Sequence, residues 1–189
     1  MPSSSSRLLI VDANVARSCG ESGHPRAKAC REVLRTILRV CHRVALNSEL
    51  KDELEQFRIQ RQQYFQTWRT AMQSRGKIEM LGPTEDAVLR QQIRRTRIPL
   101  KNPQSKINRM IKDLHLIEAA LASDGIVLSL DETARKDFNE TARSVESLRR
   151  IVWVNPEQAP QEAISWLRNG APDQAEHRLG SATIPTDNY

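Results

Sequence analysis

Apolar residues recur along the chain in two rhythms. Four short runs are nearly unbroken: RLLIVD at 7–12, HRVALN at 42–47, GIVLSLD at 125–131 and RIVWVNP at 150–156. Runs of this kind suit strands of a parallel sheet, whose faces are both covered. Between them apolar residues return every three or four positions, the spacing of an amphipathic helix. Ala27, Cys30, Leu34, Ile37 or Leu38, and Cys41 predict a helix over about residues 26–41. Leu50, Leu54, Phe57, Tyr64, Trp68 and Met72 predict one long helix that Ser48 caps and that reaches about Gln73. A helix capped by Thr84 is expected to run to about Arg95. Ile107, Met110, Ile111, Leu114, Ile117 and Leu121 predict another over about residues 104–124, and a last one covers about 160–168.

Glycine and proline mark the joints. Gly20, Gly23 and Pro25 break the chain after the first run, and Gly76, Gly82 and Pro83 surround a short extended piece. RTRIPLKNPQSK, residues 95–106, reads as a mobile basic loop. Polar helical turns follow Asp131 to about Arg149, and the Gly-, Pro-, Ser- and Asp-rich stretch 170–189 reads as a poorly ordered tail. Strands alternating with helices are the mark of an α/β fold built on a parallel sheet.

Composition narrows the class. A chain of 189 residues with 39% apolar and 28% charged residues is long enough for one domain with a buried core, and matches a soluble, helix-rich protein. No apolar run approaches the roughly 20 residues of a membrane span. MPSSSSR lacks the apolar segment of a secretory signal, which points to the cytoplasm. Cys19, Cys30 and Cys41 form no CxxC pair and read as reduced, small core residues. His24, His42, His115 and His177 show no HxxxH or HExxH spacing, which argues against a zinc site. The net charge of +6 is uneven: residues 56–112 hold thirteen Lys or Arg against three acids, so this window carries +10 and the remainder −4. A basic middle beside acidic segments suggests a polyanion-binding face near a separate acidic site, although arginines also serve simply to solvate helices.

The acids fall at telling positions. Two apolar runs stop on carboxylates, Asp12 and Asp131, and the carboxyl edge of an open α/β sheet is where loops part into a crevice. Glu53 borders the buried stripe of its helix, and Asp113 lies three after Met110 and four before Ile117, at the edge of an apolar face. Each position alone also suits a helix cap or a salt bridge. Together, carboxylates crowded at one crevice repel one another unless a cation neutralises them. Mg²⁺ or Mn²⁺ would do so through oxygen ligands, and would activate a water toward a phosphodiester. Arg94, Arg95, Arg97 and Lys101 are the first candidates for phosphate contacts.

LLIVDANV, ALNSELKDELEQF and DLHLIEAALASDGIVLSLDETARKDF together resemble the acidic motifs of the PIN-domain ribonucleases, a family that includes toxins of bacterial toxin-antitoxin pairs. The likeness covers the order and spacing of elements from about Arg7 to Pro156. It implies a three-layer sandwich with a central parallel sheet of about four to five strands, in a single nuclease domain over residues 1–169 with an extended basic region at about 56–106. It also implies a Mg²⁺- or Mn²⁺-dependent endoribonuclease in which Asp12, Glu53, Asp113 and Asp131 are catalytic, with the metal on Asp12, Asp113 and Asp131. Asn14 and Ser129 match the polar residues beside the first and last acids; Glu49 and Asp52 fit the second motif less well than Glu53. RNA, a cognate antitoxin and a second copy of the chain are the partners this resemblance brings in. The stretch between Glu53 and Asp113 is longer than the family needs, and ETARK separates Asp131 from Asp137 and Phe138, which usually follow sooner. The rival reading is a PIN-fold RNA-binding or partner-binding module without turnover. A response-regulator-like phosphoacceptor is disfavoured, because no acidic pair follows the first strand and no lysine ends the last.

Overall fold

The computed structural model describes residues 6–56, 61–96 and 103–181. Its strands are β1 (Leu8–Val11), β2 (Arg43–Leu46), β3 (Ile78–Met80), β4 (Ile126–Leu128) and β5 (Val152–Val154). They form one parallel sheet in the order β3-β2-β1-β4-β5. The helices are α1 (Ala13–Ser18), α2 (Pro25–Arg39), α3 (Ser48–Leu54), α4 (Gln63–Ser74), α5 (Ala87–Arg95), α6 (Pro103–Leu121), α7 (Glu132–Thr141) and α8 (Pro160–Arg168). Short 3₁₀ turns occupy Glu146–Arg150 and Ala175–His177. The protein is thus an α/β sandwich with helices flanking a five-stranded parallel sheet, and the short extended piece near Gly76 is the fifth strand.

The unbroken apolar runs are buried because the sheet is covered on both faces. All four residues of β1, and all three of β4 and of β5, are buried. α2 packs against α1, α4 and α8, while α6 packs on β1 and β4 and against α5 and α7. The Trp68 indole N–H donates to the Leu34 carbonyl and the Tyr64 hydroxyl to that of Arg31, which fixes α4 on α2. At the β4 entrance Gly125 has φ 74°, and a Cβ there would stand 2.7 Å from the Arg150 carbonyl oxygen. Only glycine satisfies both the turn and the approach.

Several local expectations are corrected. The long helix over 48–73 is two helices, since α3 ends at Leu54 and α4 begins at Gln63. One helix of that length would run to about 39 Å, three times the span of these strands, and the break lets α4 return over α2. Asn47, not Ser48, caps α3, its carboxamide oxygen accepting from Leu50 N–H. Asp86, not Thr84, caps α5. Lys106 belongs to no loop: it is 3% exposed within α6, its ammonium held by Asp137 and Glu140 of α7. Cys41 is exposed, whereas Cys19 and Cys30 are buried core residues. The stretch after Gly170 is fixed as far as Ser181: Leu179 is buried and donates its N–H to Ile151, and Arg178 bridges Val152 at the β5 edge. Residues 182–189 lie outside the described residues. Among the described residues no helix is long and apolar enough to cross a membrane.

Candidate functional site

β1 lies at the centre of the sheet, and the chain leaves it toward β2 on one side and joins β4 on the other. This reversal opens a crevice at the carboxyl ends of β1 and β4. Asp12 follows β1 immediately, and its N–H makes the last ladder bond, to the Leu128 carbonyl. The residue is 7% exposed. One oxygen accepts from the Asn14 N–H at 3.0 Å; the other accepts from the Asn14 carboxamide at 2.7 Å and the Ser129 hydroxyl at 2.6 Å. Asn14 in turn accepts the Leu130 N–H, and Ser129 Oγ accepts the Asp131 N–H. The Ser129–Asp12 and Leu130–Asn14 bonds, with a third from the Asn14 carboxamide to Ser129 Oγ at 3.1 Å, sew the end of β1 to the end of β4. Asp131, one loop residue on, caps α7 by accepting the Ala134 N–H at 2.8 Å. The capping role open to Asp12 and Asp131 from the sequence is therefore real for both.

Asp113 reaches the same edge from α6, which crosses β1 and β4. It has no hydrogen-bond or ion-pair partner among the described residues. Burial, followed by the nearby charges of Asp131 and Asp12, pushes its pKa up to about 6. Asp12 is raised as well, since burial outweighs its bonds from Ser129 and Asn14. Asp113 is thus within electrostatic reach of both Asp12 and Asp131, the three carried by different elements, and burial with their charge outweighs the opposing Lys112 and His115.

Glu53 approaches from α3. Its nearest charged neighbour is the ring of His115, and that ring holds its pKa below the ordinary carboxylate range. Glu49 and Asp52, the rivals for this position, are exposed, Glu49 accepting from the Ser48 hydroxyl. Asn47 explains why α3 and α6 meet here: besides capping α3, its carboxamide donates to the His115 carbonyl at 3.1 Å and to Thr84 Oγ1 at 3.2 Å.

Cations beyond the expected set also act at the site. Arg94 and Arg95 are exposed in the last turn of α5, and Arg97 and Lys101 lie outside the described residues. The charges that act on the acids come from Arg17 and Lys112, which lower Glu53, and from Lys112 and His115, which oppose the rise at Asp113. Arg17 and Lys112 are exposed and have no ion-pair partner among the described residues. Arg17 also lines an open cleft of about 470 Å³ beside Asn14, Asp131 and Thr133. Lys112 had a sequence signal in preceding Asp113; Arg17 had none. Asp137 is not part of this group, since Lys106 and Arg109 hold it between α6 and α7.

No family model, curated protein or solved structure matches the chain. What the site can do rests on its own donors. Among the described residues no three His, Cys, Asp or Glu side chains are gathered so as to hold a metal ion. The donor chemistry nevertheless fits one. A carboxylate offers about four acceptor positions; Asp12 uses three, Asp131 one and Asp113 none. Oxygen donors with uncompensated negative charge are what a hard divalent cation selects.

Proposed function

We propose that the protein is a divalent-metal-dependent endoribonuclease whose centre is the carboxyl edge of β1 and β4. The observation that carries this reading is the convergence of Asp12, Asp113 and Asp131 from separate elements at one sheet edge, where burial, followed by the charges of Asp131 and Asp12, pushes Asp113 up to about 6. Such an arrangement destabilises a fold unless a cation binds there. Asp12, Asp113 and Asp131, with Glu53 beside them, would hold Mg²⁺ or Mn²⁺, which when bound would lower the pKa of an attacking water and stabilise charge on the phosphodiester. Asn14 and Ser129 keep the Asp12 carboxylate aimed into the crevice. Arg17 and Lys112 offset the acids for an approaching phosphate, and the cleft beside Arg17 gives the backbone a path. Arg94 and Arg95, exposed in the last turn of α5, extend the basic surface outward.

The resemblance to PIN-domain ribonucleases supplies RNA as the substrate class and, with it, toxin function, an antitoxin partner, a homodimer and a cytoplasmic setting. Single-stranded or looped RNA suits a crevice that must receive a splayed backbone. A second reading has its own observation: the acids are not gathered on one ion position among the described residues, as expected for an RNA-binding module without turnover. Incubating a mixed structured and single-stranded RNA pool with the purified protein and Mn²⁺, Mg²⁺ or EDTA separates them. Metal-dependent cleavage that Asp12→Asn abolishes while RNA affinity persists supports the nuclease. RNA binding without cleavage under every metal condition supports the module.

A further inference from the structure

The edge of the sheet opposite the acidic crevice is basic. Arg7 precedes β1, Arg43 opens β2, Lys77 precedes β3, and Arg149 and Arg150 precede β5. Around the ends of α2 and α4 at this edge is an open cleft of about 580 Å³, and every charged residue lining it is a cation: Arg39, Arg43, Arg75 and Lys77. Cations at a helix C-terminus often serve only to satisfy its last carbonyls. Here that need is already met, because the Lys77 ammonium donates to the Ile37, Leu38 and Val40 carbonyls and Arg75 Nη1 adds a bond to Leu38 at 3.2 Å. Burial, followed by the charge of Arg75, lowers the Lys77 pKa, so these two cations stand within electrostatic reach of each other. Arg39 is exposed and has no hydrogen-bond or ion-pair partner among the described residues. Arg43 meets Glu79 in an exposed ion pair, a kind of contact that adds little stability. Three exposed guanidiniums are left with most of their donors unspent.

We propose that this cleft is a second phosphate-binding surface, on which Arg39, Arg43 and Arg75 hold the backbone of a single-stranded RNA outside the crevice. RNA as the ligand rests on the reading above; the cleft adds a surface that binds without taking part in the cut. A guanidinium fork matches the paired oxygens of a phosphate. The lining favours a nucleic acid over an acidic protein, since a protein partner needs a desolvated apolar centre. The exposed large hydrophobics among the described residues, Met80 and Val88, are not part of the cleft. Separation assigns its role. The four residues of β2, at about 3.3 Å each, put Arg43 about 13 Å from the carboxyl edge. One phosphate cannot meet both edges, whereas a longer strand gains the contacts of both, so the cleft selects RNA by length.

Cys41 reports on the cleft directly. It is exposed in the lining while Cys19 and Cys30 are buried, so a thiol-alkylating agent marks it first. The test uses the full chain in EDTA with a single-stranded RNA of about 16 nucleotides, reading Cys41 alkylation by mass spectrometry and the salt dependence of affinity by fluorescence anisotropy. RNA is expected to slow the alkylation of Cys41. Arg39→Gln and Arg43→Gln, checked for folding by circular dichroism, are each expected to weaken binding and to flatten the log-log salt slope by about 0.7. Lys136→Gln, which removes one charge from an exposed position of α7, is expected to leave the slope unchanged. Alkylation at an unchanged rate with RNA bound, the same slope for Arg39→Gln as for wild type, or no RNA binding overturns the proposal. Polyglutamate of matched charge that protects Cys41 as well as RNA does also overturns it, and gives the cleft to an acidic protein. Cutting is a separate readout: protection of Cys41 in a protein that cuts no RNA keeps the cleft and removes the nuclease, while metal-dependent cutting with Cys41 unprotected removes the cleft alone.

Discussion

Asp113→Asn is the substitution whose effect on stability the structure sets most directly. Asp113 has no partner among the described residues, and burial together with Asp131 and Asp12 pushes it up to about 6. An unperturbed aspartate titrates near about 3.9, and each tenfold change in proton affinity is worth about 1.4 kcal/mol, so the ionised side chain costs the metal-free fold at most about 3 kcal/mol. The group is partly exposed, and solvent screens some of this, leaving about 1–2 kcal/mol. The sign follows from the raised value. The folded chain holds this proton more tightly than the unfolded chain, so stability falls as pH rises from about 4 to about 6 and the penalty is full above that. Asn keeps the size and removes the charge. Thermal unfolding in EDTA at low salt should therefore give the variant a midpoint roughly 2–8 °C above wild type near neutral pH, with the gap closing toward about pH 4. Saturating Mn²⁺ should reverse the order, because an ion at a hundredfold its dissociation constant adds about 2.7 kcal/mol to the protein that binds it. A variant no more stable than wild type in EDTA, or a gap that ignores pH, would refute the electrostatic reasoning.

Other substitutions test separate parts of the structure. Ser129→Ala removes the donor to Asp12 and the acceptor for the Asp131 N–H, and is expected to cost about 1–3 kcal/mol in denaturant unfolding. Gly125→Ala places a Cβ 2.7 Å from the Arg150 carbonyl oxygen at φ 74°, and should cost about 2 kcal/mol or more in the same measurement. Arg17→Ala and Lys112→Ala should each flatten the salt dependence of single-stranded RNA affinity by about 0.7 in log-log slope for each phosphate left without its cation, and also slow cleavage of bound RNA. Arg94→Ala with Arg95→Ala should lower affinity without slowing the cleavage of bound RNA.

Parts of this organisation were legible in the chain. Strand segments buried on both faces must be apolar, so LLIV, VAL, IVL and VWV announced themselves, and the polar residue ending each marked the carboxyl edge. β3 was fainter: it is an edge strand with one residue exposed and two half-buried, so no apolar run was required of it. The break between α3 and α4 left no mark, because Leu54 and Trp68 keep helical phase across it; only the size of the sheet shows that one helix would overshoot. Caps went astray by one or two positions because Asn47 and Ser48, or Thr84 and Asp86, are equally able to accept a helix N–H. The acids at Asp12 and Asp131 stood out as carboxylates after apolar runs. His115 did not, since a histidine on an apolar helical face reads as core until its Nε2 is found facing Glu53. Arg17 was hidden for the opposite reason: it carries no pattern, and only the fold brings the end of α1 beside the crevice. Lys106, read as loop charge, is buried because Asp137 and Glu140 meet it from α7, a tertiary pairing that no local spacing reveals.

The central claim is that water activated at the carboxyl edge of β1 and β4 cuts the RNA backbone. The chemistry of the cut ends tests it most directly. Attack by water leaves one end with a phosphate monoester and the other with a hydroxyl, whereas attack by the neighbouring ribose hydroxyl leaves a cyclic phosphate. Mass spectrometry of the fragments made by wild type in Mn²⁺, with EDTA and Asp12→Asn as controls, should show linear phosphate ends formed only in the first reaction. Cyclic phosphate ends, or cleavage that survives EDTA or Asp12→Asn, would contradict it.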